Sequence, residues 1–209
     1  MNGITRQARN SAARREQIVV ATLALFKEHG LSGTTIDAIS QRSGASVGSI
    51  YHQFGDREGI LYALYHQCFA LCFDDLKQAL RRETTAQAGA YALVTTYLDW
   101  IGENPERGRF MYEASGGDLL INHHEQILAF KGAFYTDIVR WMQPHIAAGE
   151  IIALPPWAYD VIIMGPAHEF ARRWLAGMRQ MTLDTAKAII ADAIWRAIQP
   201  SENELQQLD

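Results

Sequence analysis

Three glycines, Gly30, Gly44 and Gly55, cut the start of this chain into segments too short for anything but a small helical module. Each segment carries apolar residues at helical spacing. The first, about 14–29, has Ile18, Ala21, Leu25 and Phe26 as apolar positions and ends at Gly30, a residue suited to a left-handed cap. Thr34-Thr35 start a second, about 35–42, with Ile36 and Ile39 facing inward. Ser43-Gly44-Ala45 makes a tight turn, and Ser46 caps a third helix, about 47–53, anchored by Ile50 and Phe54 and broken by Gly55. Two short helices joined by a turn with glycine form a helix-turn-helix unit. Ile39 and Ile50 must meet to hold them at a steep angle, while Gly44 lets the backbone take a positive φ between them.

The rest of the chain reads the same way. Residues 1–13 are polar and aperiodic and are expected to be a flexible arm. Asp56 caps a long fourth helix, about 57–81. Further helices are expected near 86–103, 106–114, 118–147, 157–179 and 183–198, with Pro144 ending or kinking the one that contains it. Period-two alternation never persists, and no internal repeat is visible. The fold class is therefore all-α, about nine helices, with a helix-turn-helix domain at 1–56 and a second helical domain at 57–209.

The net charge of −4 alone argues against a nucleic-acid binder, but the charge is unevenly spread. Residues 1–53 hold six Lys/Arg and three Asp/Glu, net +3, against thirteen and twenty, net −7, in 54–209. A basic head on an acidic body suits a chain that touches phosphate with one module. Cys68 and Cys72, the two cysteines, form no disulfide framework and fit a reducing cytoplasm. With His66 they supply too few ligands for a tetrahedral metal site, and no cofactor is expected. No apolar run is long enough to span a membrane. Arg14-Arg15 before Ile18–Phe26 mimics a twin-arginine signal, but Lys27-Glu28-His29 follow directly and no cleavage site appears.

Ser46, Ser49, Tyr51 and His52 on the third helix can hydrogen-bond phosphates or base edges. Gly48 costs a helix about 1 kcal/mol relative to Ala. A close approach of backbone to DNA would offset that cost. The run Thr34-Thr35-Ile36-Asp37-Ala38-Ile39-Ser40, then residues 43–54, then Asp56-Arg57-Glu58-Gly59-Ile60-Leu61 resembles the tetracycline-repressor (TetR) family. The shared features are a Thr opening the motif, the Gly44-Ala45-Ser46 turn, Tyr51-His52-Gln53-Phe54, and a basic residue and Glu soon after. Arg57 stands where the family usually has Lys, and Ser40 where Ala is commoner.

The resemblance implies DNA contacts at Thr35, Ser46, Val47, Gly48, Ser49, Tyr51, His52 and Arg57. Tyr51 and Arg57 would bind phosphate, Thr35 would cap its helix against one, and Val47, Gly48 and Ser49 would face bases. Arg6, Arg9, Arg14 and Arg15 would add phosphate or minor-groove contacts or stay solvated. It also implies a homodimer with an effector cavity in the C-terminal domain. Phe69, Cys72, Tyr97, Trp100, Phe110, Tyr112, Phe130, Phe134 and His168 are the ligand candidates as a group, though each taken singly reads first as core. Ile162, Ile163, Phe170 and Trp174 form one apolar stripe and Ile190, Ile194 and Trp195 another, expected to build a four-helix dimer interface.

The expected function is that of a cytoplasmic homodimeric repressor, released from a palindromic operator by a small molecule that pivots the fourth helix. Effector, operator and even the sign of regulation stay open. The rival is a helical small-molecule-binding or catalytic protein without DNA binding. No Gly-x-Ser-x-Gly, phosphate loop or His-Glu-x-x-His occurs, so an enzyme is not expected.

Overall fold

The computed structural model describes the backbone of residues 2–115 and 118–200, with side chains for 8–115 and 120–200. Among the described residues every regular element is helical and none is a strand. The helices are α1 (Asn2–Gly33), α2 (Ile36–Ser43), α3 (Val47–Phe54), α4 (Arg57–Leu80), α5 (Ala86–Glu103), α6 (Pro105–Ser115), α7 (His124–Ala147), α8 (Pro156–Tyr159), α9 (Gly165–Leu175) and α10 (Leu183–Ile198). A 3-10 turn, Asp118–His123, precedes α7, and a π-helical segment, Asp160–Met164, joins α8 to α9. Contacts group the chain into two units, up to residue 69 with 106–127, and 70–105 with residues from 128 on. This grouping cuts α4 internally, where the motif alone suggested a boundary at 56/57.

In the first unit Ile18, Leu25, Ile39, Ala45, Ile50 and Ile60 form one buried cluster. Burying such a side chain contributes roughly 1.5–3 kcal/mol, which outweighs the poor intrinsic stability of helices as short as α2 and α3. Ile60 belongs to α4, so the first turns of α4 are part of the module's core. Gly44 at φ 68° and Gly55 at φ 80° close α2 and α3 where the sequence indicated, whereas Gly30 at φ 66°, expected to end the first helix, kinks α1, which runs on to Gly33. Gly59 meets a different demand. A Cβ there would lie 2.0 Å from the Phe54 carbonyl oxygen, so only glycine lets α4 start this close to the end of α3.

Two expectations in this unit need correction. Residues 2–13 are helical, not an arm. Residues 8–17 are all exposed, so this part of α1 has no apolar stripe for periodicity to detect. The stretch 118–147 is not one helix. The 3-10 turn is held separately by Glu58, whose carboxylate accepts from Asn122 N at 3.0 Å and Nδ2 at 2.6 Å.

The second unit packs α5 against α10. Lys187 of α10 ties them, bonding Asp99 of α5 at 2.6 Å and Asp184 at 2.7 Å. A Cβ on Gly89 of α5 would lie 1.9 Å from the Trp141 ring of α7, so the indole needs that glycine. Pro144 lies in the last turn of α7, three residues before its end at Ala147. The expected helix 157–179 is interrupted, because Pro166 has no N–H to donate to the carbonyl four residues back. The chain answers with the wider π turn at 160–164.

Candidate nucleic-acid interface and an apolar cavity

The caps that place α3 are side chains already evident in the sequence. Thr35 Oγ1 accepts from Ala38 N at 3.2 Å, and Ser46 Oγ from Ser49 N at 3.2 Å. Ser40 Oγ donates to the Ala45 carbonyl at 2.8 Å and closes the turn between α2 and α3. With Ile50 buried on its inner side, α3 leaves Val47, Gly48, Tyr51 and His52 exposed, Tyr51 by 49%, and Ser49 half-buried. Thr35 and Ser46, at the two helix N-termini, are exposed too. Gly48 is helical, lacks a positive φ, and a Cβ there would meet nothing within 4 Å. Nothing among the described residues therefore requires glycine at this position.

Two arginines hold this surface in place, a role the sequence did not suggest. Arg57 is half-buried, and its Nε donates to the Thr34 carbonyl at 2.7 Å and its Nη2 to that of Leu31. Arg15 donates to the Gln53 carbonyl at 2.9 Å and lies 4.2 Å over the Phe54 ring, so α1 grips the end of α3. Arg14 is exposed, and the Arg6 side chain lies outside the described residues. These partners are 23 and 38 residues apart, too far for any local pattern to show.

Of the nine ligand candidates, Phe69, Phe110 and Tyr112 fall in the first unit and the other six in the second. Phe110 is core there, edge-on to Phe26 at 5.2 Å. Cys72, Tyr97 and Trp100 are buried, Tyr97 with its ring 4.8 Å from that of His168. Phe134 packs on Phe73 at 5.2 Å and on Phe130 at 6.4 Å. Burial lowers the pKa of His168, opposed by Asp160 and reinforced by Lys131. The buried Cys68 thiol is raised to about 11 by desolvation, against the pull of Arg107 3.7 Å away.

A cavity of about 640 Å³ lies elsewhere in the second unit. Its walls are α7 from Gly132 to Gln143, the run 156–164, and Leu93 of α5. Ile138, Met142, Ile163 and Met164 make it apolar, with Tyr135, Trp157 and Tyr159 as aromatic lining. The Tyr159 hydroxyl donates to the Ile152 carbonyl at 2.8 Å and accepts from Leu154 N at 2.9 Å, which fixes the entry to the run. None of the nine candidates lines this cavity. Its wall residues came from a segment that looked like plain amphipathic helix, and Pro155-Pro156 and Pro166 were the signals that something else happens there.

Of the expected dimer residues, Ile163 and Ile194 are 3% and 2% exposed and are spent on packing within the chain. Ile162, Phe170, Trp174, Ile190 and Trp195 are half-buried. The large apolar side chains that do face outward in this unit include Trp157, 71% exposed, with Val161 and Ile189.

A family profile described as bacterial regulatory proteins, tetR family, matches residues 18–64. An HTH-type transcriptional regulator BetI from Burkholderia thailandensis is 48% identical over 50 residues, 24% of this chain and 26% of that one. The BetI of Paraburkholderia xenovorans is 38% identical over 73 residues, 35% of each chain. The match thus spans about a quarter to a third of these relatives' length. Among solved structures, a TetR family transcription regulator from Marinobacter aquaeolei superposes with TM-score 0.75 at 19% identity, covering 94% of this chain and all of that one. FadR from Bacillus subtilis, solved with stearoyl-CoA, gives 0.73 at 16% identity, covering 88% and 99%. At such identities the likeness is one of fold.

Proposed function

Because the chain belongs, through residues 18–64, to the TetR family of bacterial regulatory proteins, we propose that it is a ligand-responsive transcriptional repressor that grips a palindromic operator as a homodimer. The family is one of regulators and not of enzymes. The observation that carries the reading is the outer surface of α3. It offers Tyr51, Val47 and hydroxyl groups outward and has a glycine the fold does not need. Helix-turn-helix proteins lay such a helix in the major groove. Val47, Gly48 and Ser49 then face base edges, Tyr51, His52 and Ser46 reach phosphate or base, and Thr35 presents its helix N-terminus to a phosphate. Arg57 reaches phosphate with Nη1, its other nitrogens being held by carbonyls.

Dimerisation is assigned to the exposed apolar residues of the run 156–164 and of α10, since a four-helix interface buries such faces. The cavity of about 640 Å³ is the effector site; its size and apolar lining suit a small organic molecule. An effector that favours the DNA-incompetent form by only about 1–3 kcal/mol releases DNA 5–150-fold. Helices α4 and α7 each carry residues of both units, so either chain segment can couple effector to DNA. The regulator works in the cytoplasm, where the DNA is. Duplexes from the region upstream of its own gene test the reading in a gel shift. Retardation that competitor DNA does not abolish supports it, and retardation equal to that of unrelated duplexes counts against it.

A further inference from the structure

The cavity contains one feature that an apolar effector leaves unexplained. Asp160, the first residue of the π-helical segment, is part of its wall. Its Oδ1 is shut off from solvent and no hydrogen-bond donor among the described residues reaches it. A buried acceptor without a donor is destabilising, and more so when charged. Such a cost in a cavity walled mainly by apolar side chains, with Thr136, Arg140 and Gln143 as its other polar lining, points to a partner that arrives with the ligand. The protein's nearby cations do not supply one to Oδ1. Arg140, also in the lining, is mostly exposed and pairs with Asp137 at 3.1 Å. His168 feels the Asp160 charge, yet burial favours its neutral form.

Resting on the reading of this cavity as the effector site, we propose that it takes a hydrophobic molecule bearing one protonated primary amine. The ammonium binds the Asp160 carboxylate and the apolar body lies against Tyr135, Trp157 and Ile163. An aspartate's terminal torsion is broad, so a small rotation turns an oxygen toward the cavity. The ammonium provides the N–H donor that Oδ1 lacks and brings a positive charge to the carboxylate, making a charge-assisted bond. The aromatic rings add attraction for the cation. A quaternary ammonium supplies charge without a donor, and an alcohol supplies a donor without charge.

The test is calorimetric titration of the full chain with three probes of one shape. They are 3,3-diphenylpropylamine, the corresponding alcohol, and the N,N,N-trimethyl ammonium. The amine is expected to bind at least about tenfold more tightly than either analogue, and Asp160→Asn to remove that preference while leaving the alcohol's affinity in place. Equal affinity for amine and alcohol in the wild type, which needs no variant, overturns the proposal. So does the absence of saturable amine binding, or a preference that survives Asp160→Asn. Operator binding is measured on the same preparation without any probe. Normal DNA binding with no amine preference rejects the amine alone, whereas lack of specific DNA binding rejects the regulator reading whatever the amine does.

Discussion

Arg57 Nε donates to the carbonyl oxygen of Thr34 at 2.7 Å, so the first residue of α4 closes the connection between α1 and α2. Thr34 is itself buried and its Oγ1 donates to the Gly30 carbonyl at 2.8 Å. The kink in α1, the start of α2 and the start of α4 thus share one set of hydrogen bonds. Arg57→Ala is expected to cost about 1–3 kcal/mol in urea unfolding by leaving carbonyls unpaired. Arg57→Lys is expected to recover only part of that, since one ammonium cannot reproduce the guanidinium fork. Wild-type stability in the Ala variant would show that these bonds contribute nothing.

Gly48 separates folding from DNA binding. Ala has room there and a better helix propensity, worth up to about 1 kcal/mol. Gly48→Ala should therefore raise the melting temperature slightly and weaken operator binding, because its methyl meets the DNA. A variant that is stabilised and binds DNA as well as the wild type would remove Gly48 from the interface.

The apolar surface of the second unit makes opposite predictions for two isoleucines. Ile189 is exposed on α10, so Ile189→Glu should fold and run as a monomer in sizing chromatography. Ile163 is buried, so Ile163→Glu should fail to fold stably, at a cost of several kcal/mol for an unpaired buried charge. A dimeric Ile189→Glu protein would move the interface elsewhere.

Acid should weaken the fold at His168. Burial lowers its pKa below the usual 6.5, with Asp160 opposing and Lys131 reinforcing. The unfolded chain therefore takes up the proton first. The stabilisation is complete above about pH 6.5 and is lost as pH falls toward the folded value. His168→Gln should flatten the melting profile between about pH 7 and pH 5. Parallel profiles for the two proteins would rule out this contribution.

What the sequence made legible follows from the range of each interaction. Thr35, Ser46, Gly44 and Ile50 act within a turn or two of where they stand, and periodicity with cap chemistry found them. Arg15 and Arg57 act on carbonyls brought near only by the fold, so they read as an arm cation and a phosphate ligand. The cavity joins Leu93, Tyr135 and Asp160, which no spacing relates. The aromatic residues drew attention because they are large, and the folded chain uses Phe110 and Trp100 to fill core. The interruption at Asp160–Met164 was visible as Pro166 inside a helical pattern, a signal that outranks the apolar stripe around it.

The central claim is that the α3 surface reads DNA sequence. The most direct measurement is selection from a pool of random duplexes on the purified chain, followed by affinities of the winners at several salt concentrations for the wild type and Tyr51→Ala. The account predicts enrichment of an inverted repeat with half-sites about 10 base pairs apart or a multiple of that. It predicts affinity that falls steeply with salt, and a uniform loss in the variant if Tyr51 binds phosphate. No enriched sequence, with equal weak binding of all duplexes by both proteins, would contradict it.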